Sequence, residues 1–168
     1  MRICVLNSTT SYRRLALGLL CAGAVLASIG GGGNSLPGRM TGGGSIISNG
    51  LRVTHGFTIN CDATKNPQRL EANWDGNRFH LESMTSANCS NDPNINAGQP
   101  FAGFNTYTGT GTGRLNGVDD ATIDFVFTDA GEPGTNDTAT YTIRDGDGNL
   151  ILSASGNLDN GNQQAHKE

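Results

Sequence analysis

Strict alternation of apolar and polar residues is the feature that most constrains the fold of this chain. From Leu51 to Cys61 every second residue is apolar apart from His55, and the residues between them are polar or glycine. Successive side chains of a strand point to opposite faces, so a period of two predicts a half-buried β-strand. The same alternation recurs at 123–128 and 139–143, which predicts further strands.

A turn signal at Asp75-Gly76 predicts how two of these strands pair. Asp-Gly is a preferred two-residue hairpin loop. This loop places Ala72 opposite Phe79 on the core face and Glu71 opposite His80 on the outer face. A shift of one residue would instead place two glutamates opposite each other. Cross-strand pairs contribute about 0.2–1 kcal/mol each, so the charges favour the Asp75-Gly76 loop.

A second hairpin is predicted around Gly146-Asp147 near the end of the chain. A two-residue loop at this position would pair Ile143 with Leu150 and Tyr141 with Leu152. Both pairs join apolar residues, which is the arrangement expected on the core face of a sheet.

Glycine, asparagine and threonine are abundant and helix formers are sparse after the first 26 residues, which favours strands and turns. We therefore predict an all-β fold, an antiparallel β-sandwich or partly open barrel of about seven to nine short strands. The expected organisation is a Gly/Ser-rich linker at 28–38, the β domain at 39–160 and a polar tail at 161–168. Residues 85–105 form the longest stretch without periodicity, which predicts a long loop.

The first 27 residues have the pattern of a signal peptide. Arg13 and Arg14 precede an apolar run from Leu15 to Leu26, and cleavage is expected after Ala27. This predicts a protein that is secreted, periplasmic or held at the cell surface. Cys21 offers the alternative of a lipid anchor, although two leucines precede it where a lipobox needs a small residue.

Removal of this segment makes the chain markedly acidic. Three of the 11 Lys and Arg residues lie in it and none of the 15 Asp and Glu residues does, so the net charge changes from −4 to −7. Such a charge disfavours nucleic acids and anionic membranes as partners. After the signal, no apolar run reaches the ~20 residues of a membrane-spanning helix.

Two cysteines, Cys61 and Cys89, remain after the signal. An even number of cysteines in an exported chain predicts a disulfide between them, which would stabilise the domain by about 3–4 kcal/mol. The alternative is a pair of buried thiols. A zinc site is disfavoured because the cysteines lack C-x-x-C spacing.

Eight carboxylates lie between Asp119 and Asp147, and they are the best chemical candidate in the sequence. Asp129, Glu132 and Asp137 share one loop, which contains two glycines and a proline. Hard cations prefer several such oxygen ligands, so this loop is the candidate calcium site, and calcium is the one cofactor that the sequence suggests. The alternative is that the carboxylates solvate loops and shape turns.

Other constellations favour structural roles. His55 lies on an apolar strand face, which is typical of a hydrogen-bonded core histidine. Glu71 and Glu82 share a sheet face as glycosidase carboxylates would, but the predicted register gives each a basic partner. No sequence pattern identifies a catalytic residue. The pattern Gly109-x-Gly111-x-Gly113 lacks the following helix of a phosphate loop and predicts a Thr/Gly strand.

Several segments together resemble the post-choice-of-anchor β domain of bacterial secreted proteins, over roughly residues 39–166. The segments are TGGGS at 41–45, RVTHGF at 52–57 with Cys61-Asp62, NRFHL at 77–81, GTGRLNG at 111–117 and FTDAGEPG at 127–134. The resemblance implies an exported accessory module. It implies no catalytic residues, because the family has no established activity.

The favoured function is therefore a non-enzymatic, exported bacterial module for surface binding, adhesion or envelope structure. The expected partner is an extracellular glycan or an envelope protein. A calcium-dependent carbohydrate-binding module is the alternative, and a small secreted hydrolase is the third. Sugar binding usually needs an exposed aromatic platform, and Trp74 is expected on the core face instead.

Overall fold

The computed structural model describes residues 35–168. The predicted signal peptide 1–27, its Cys21 alternative and most of the linker 28–38 lie outside the described residues. The described chain forms eight β-strands and one 3₁₀ turn, Gly134–Asn136. The strands are β1 (Arg39–Ser48), β2 (Leu51–Asn60), β3 (Arg69–Trp74), β4 (Asn77–Ser90), β5 (Thr106–Leu115), β6 (Val118–Thr128), β7 (Thr138–Arg144) and β8 (Leu150–His166).

The strands form a closed antiparallel barrel in chain order. Each strand pairs with the next, and β8 pairs with β1 from Arg39 opposite His166 to Ile46 opposite Leu158. The prediction of an all-β antiparallel fold with seven to nine strands is confirmed. Of the two architectures considered, the chain adopts the barrel, and closure removes the exposed edges that an open sheet would leave.

The first predicted hairpin has the expected register. Ala72 lies opposite Phe79 and Glu71 lies opposite His80. Asp75 and Gly76 both have positive φ, 41° and 75°, as a type I′ turn requires.

The predicted register of the second hairpin is wrong by two residues. Ile143 pairs with Leu152, and Leu150 pairs with Arg144 across a register shift. The loop is longer than expected because the carboxylate of Asp145 accepts hydrogen bonds from the backbone N–H groups of Asp147 (3.0 Å) and Asn149 (2.9 Å). This local network stabilises a wide turn that competes with the two-residue loop.

Glycines make room for the aromatic core inside the barrel. On β5 the inward positions after the buried Tyr107 are Gly109, Gly111 and Gly113, and the outward positions from 106 to 112 are threonines. A Cβ on Gly109 would collide with the ring of Phe125, and one on Gly111 would lie 2.7 Å from the Ser83 carbonyl oxygen. The interior of a small barrel is filled by alternating small and large side chains, which accounts for the Gly/Thr pattern. The predicted Thr/Gly strand is confirmed.

The boundaries of two predicted irregular segments are wrong. β8 continues to His166, so most of the polar segment 161–168 belongs to the sheet. It is ordered as a strand because it pairs with β1 and closes the barrel, and Gln163 is fully buried there. Likewise β4 extends to Ser90, which shortens the predicted loop to residues 91–105.

The predicted disulfide is present. Cys61, directly after β2, and Cys89, near the end of β4, are bonded, with their Cα atoms 5.4 Å apart. The Ser35 hydroxyl donates to the Cys61 carbonyl (2.8 Å) and accepts from the Cys89 N–H (2.9 Å). The chain before β1 is thus fastened to the disulfide. Within residues 35–168, no helix has the length and apolar character needed to cross a membrane.

Replacing an inward glycine should destabilise the barrel, whereas replacing an outward one should not. Gly111→Ala is expected to lower the free energy of unfolding by about 1–3 kcal/mol, since the methyl group has no space. Gly56→Ala is the matched control, because a Cβ there meets nothing within 4 Å. It should leave stability unchanged or raise it by about 0.4–1 kcal/mol. Urea denaturation of both variants measures the difference, and equal effects would contradict the assigned role of β5.

Candidate functional site at the loop end of the barrel

The long loops of the barrel lie at one end. The opposite end carries the short turns at 49–50, 75–76 and 116–117 and the 145–149 loop, whereas this end carries the loops at 61–68, 91–105 and 129–137. Binding residues concentrate on loops that a rigid scaffold positions. A functional site is therefore expected at the loop end.

The loop that contains the candidate calcium residues runs along the last part of β8. β7 begins at Thr138, opposite Asn157, so β8 beyond Asn157 has no strand partner on that side. The carboxylate of Asp137 accepts the Gln163 N–H through Oδ2 (2.7 Å), and that of Asp129 accepts the Ala165 N–H through Oδ2 (2.8 Å). These side chains thus take the place of the carbonyl acceptors of a missing strand.

Each of the three predicted residues has hydrogen-bond partners within the fold. The Oδ1 atoms of Asp137 and Asp129 accept the N–H groups of Ala130 (2.8 Å) and Gly131 (3.0 Å) in their own loop. Glu132 Oε1 accepts the side-chain amide of Asn162 (2.8 Å). We call Asp129, Glu132 and Asp137 the acidic clasp, because they fasten this loop to β8.

The structure brings the three predicted residues into one loop, but it does not show a metal centre. Among residues 35–168, no three His, Cys, Asp or Glu side chains converge with the geometry of a metal site. Calcium binding by the clasp therefore stays a prediction.

Asp137 is the electrostatically unusual member of the clasp. It is fully buried, and burial is the main cause that raises its pKa to about 6. The two backbone N–H donors oppose this rise, whereas the charges of Asp129 and Glu132 contribute to it. The clasp thus combines strong hydrogen bonds with repulsion between like charges.

The 91–105 loop is organised by Asn105, a residue that the sequence reasoning missed. This buried side chain accepts the Asp92 N–H (2.8 Å) and donates to the carbonyl oxygens of Asp92 (2.9 Å) and Ile95 (3.2 Å). The backbone carbonyl of Asn105 accepts the N–H of Asp129 (2.8 Å), which connects the long loop to the clasp. No sequence signal separates Asn105 from the other polar residues of the loop.

A cleft of about 390 Å³ lies between the long loop, the clasp and the end of β8. Its lining includes Gln99, Glu132 and His166. Nε2 of His166 forms a hydrogen bond with the hydroxyl of Thr41 at 2.7 Å. Partial burial, and then the charge of Arg39, lower the pKa of His166, whereas Asp129 opposes this effect. The cleft thus offers polar groups of several kinds for ligand contact.

His55 is a core residue, as predicted. Its ring is buried and stacks on Phe57 and Phe127, with ring centroids 5.7 Å and 5.5 Å apart. Its Nε2 lies 3.4 Å from the amide nitrogen of Gln163, and its Nδ1 has no hydrogen-bond partner among the described residues. Burial lowers the pKa of His55 from 6.5 to about 4.

The two glutamates considered for glycosidase chemistry are engaged in ion pairs. Glu71 accepts from Arg78 (2.6 Å) and lies 3.2 Å from His80, as the predicted register requires. The hydrogen bond from Arg78 is the main cause that lowers the pKa of Glu71. Glu82 pairs with Arg114 (2.9 Å) on the neighbouring β5.

The fold and site define an eight-stranded antiparallel barrel with an aromatic interior and an acidic clasp along β8. No known protein family, curated protein or solved structure matches the chain. The resemblance to the post-choice-of-anchor domain therefore stays a prediction.

The lowered pKa of His55 predicts a loss of stability in acid. Between pH 6.5 and 4 the unfolded chain binds a proton that the folded chain does not, so wild type should lose about 3 kcal/mol relative to a variant without this group. His55→Gln is that variant. Asp137, whose pKa is raised, acts in the opposite direction, and comparison at each pH cancels its contribution. Urea unfolding at several pH values measures the effect, and a constant difference between the two proteins would contradict it.

Proposed function

We propose that this chain is an exported, non-enzymatic binding module that acts at the bacterial cell surface or envelope. The observation that carries the proposal is that the side chains considered for catalysis or metal binding have structural partners. Glu71 and Glu82 are held in ion pairs, Cys61 and Cys89 form the disulfide, and the clasp carboxylates accept hydrogen bonds from the loop and β8.

The packing of the barrel also supports binding on the outside. Trp74, Tyr107 and Tyr141 are buried, and Phe57 stacks on Phe127 across the interior at 4.2 Å. Because the inward glycines have no side chain, such rings occupy the space beside them. A ligand would therefore contact the outer wall or the loop-end cleft.

Export can be tested by producing the full chain in a bacterial host and measuring the intact mass of the product. The expected product begins at Ser28 and contains one disulfide, so reduction should add two hydrogen masses. A product that stays in the cytoplasm with residues 1–27 would contradict export. A product that carries the added mass of a lipid on Cys21 would show that the protein is anchored to a membrane and not released.

The binding role predicts retention of the exported protein on bacterial envelopes. When washed envelope fragments are sedimented, the folded protein should be found in the pellet. The same protein after reduction and unfolding should remain in solution, because binding needs the surface of the folded domain. Absence of retention on any envelope or extracellular polymer would contradict the proposal, as would catalytic turnover at the loop-end cleft.

A calcium-dependent carbohydrate-binding module is the second candidate. The specific observation in its favour is that Asp129 and Glu132 help to raise the pKa of Asp137, which a bound cation would reverse. A ligand that binds only the folded state raises its stability. This candidate therefore predicts a higher Tm in calcium than in EGTA, with the increase lost in Glu132→Gln. The first candidate predicts the same Tm in both solutions.

A further inference from the structure

The outward side chains of β5, β6 and β7 form a surface of unusual composition. Over the length where all three strands pair, nine of the twelve outward positions are threonine, and the other three are Asp124, Val126 and Arg144. The exposed residues Arg114, Val118, Asp119 and Asp120 lie beyond this stretch, at the turn end of β5 and β6. We call these twelve residues the threonine face. They are Thr106, Thr108, Thr110, Thr112, Thr122, Asp124, Val126, Thr128, Thr138, Thr140, Thr142 and Arg144.

The strand register arranges the threonine face in rows across the barrel wall. One row joins Thr108, Val126 and Thr140, and the next joins Thr110, Asp124 and Thr142. Members of a row lie about 4.8 Å apart, and successive rows are about 6.8 Å apart along the strands. The face therefore presents hydroxyl and methyl groups at regular intervals, although Thr128 at its loop end is largely covered.

β-Strand propensity explains each threonine by itself, but it does not explain the scarcity of charge. The outward positions of β2, β3 and β4 include charged side chains, among them Arg52, Arg69, Glu71, Arg78 and Glu82. Every ion pair found among residues 35–168 lies outside the threonine face. The ion pairs are thus confined to other parts of the surface, the nearest being those of Arg114 with Glu82 and Asp119.

We infer that the threonine face is the binding surface of the module and that its partner is an uncharged polysaccharide. This inference rests on the proposed function. Asp124 and Arg144 cancel in charge, so the face does not select an ionic partner, and a predicted net charge of −7 would repel anionic polymers from the rest of the domain.

The chemistry of the face matches a polymer of neutral sugars. A threonine hydroxyl both donates and accepts hydrogen bonds, and so does a sugar hydroxyl. The threonine methyl groups contact the C–H groups of sugar rings. The face carries no aromatic platform, so each contact is weak and affinity comes from several rows that bind one chain together.

Co-sedimentation of the exported full chain with insoluble cellulose, with chitin and with a cross-linked neutral α-glucan tests the inference. Thr108→Lys and Thr142→Lys place a long cation on the face, the first at an exposed position and the second at a half-buried one. Each should weaken retention on the bound polymer by about tenfold. Thr54→Lys on β2 is the matched control, because it makes the same change at an exposed outward position away from the face, and it should bind as wild type does. Thermal melts establish that each variant is folded.

The possible failures are distinguishable. If wild type and both face variants are retained equally on a neutral polysaccharide, the face is not the surface, and the proposed binding function stands. If wild type sediments with envelopes or an anionic polymer and with no neutral polysaccharide, the assigned partner is overturned. If it binds none of them, the proposed function fails as well. If the protein self-associates as its concentration rises and Thr108→Lys blocks this association, the partner of the face is a second copy of the chain and not a polysaccharide.

Discussion

The seam between the end of β8 and the rest of the barrel depends on two aspartates. β7 is too short to pair with β8 beyond Asn157, and the backbone there would be a free strand edge. Asp137 and Asp129 supply the missing acceptors at 2.7 Å and 2.8 Å. Hydrogen bonds to charged groups contribute about 1.5–3 kcal/mol, so these bonds offset the loss of ladder pairing.

The clasp also connects the two long loops to the core. The backbone N–H of Asp129 donates to the backbone carbonyl of Asn105, and the side chain of Asn105 holds the 91–105 loop. Inside the barrel, Gln163 lies on the same segment of β8 and contacts His55. A single segment thus joins the loop-end cleft, the strand closure and the aromatic interior, which is why a polar stretch near the end of the chain is buried and ordered.

Strands were predictable where a local pattern determines them. The alternation from Leu51 to Cys61 and the Asp75-Gly76 turn depend on short-range spacing, and the pairing of the two cysteines follows from their number. The structure confirms all three. The closure of β8 onto β1 was not predictable, because residues 161–166 contain no apolar alternation and become a strand through long-range pairing. The length of the 145–149 loop was predicted wrongly because the side chain of Asp145 stabilises a turn longer than two residues.

The candidate site was predictable only as a set of residues. The sequence grouped Asp129, Glu132 and Asp137 because they share a loop with turn residues. Their roles as acceptors for β8 depend on a strand that the sequence reasoning assigned to a tail. Likewise, the threonine face of β5, β6 and β7 is formed only when the register aligns threonines from three strands.

Amide hydrogen exchange at Gln163 and Ala165 tests the central claim most directly. If the clasp closes the seam, Asp137→Ala should accelerate exchange at Gln163, and Asp129→Ala should accelerate it at Ala165, each by roughly tenfold or more. The amide of Leu152, in the part of β8 that pairs with β7, should change little, and so should all three amides in the exposed control Asp124→Ala. Unchanged protection of Gln163 and Ala165 in both clasp variants would contradict the account.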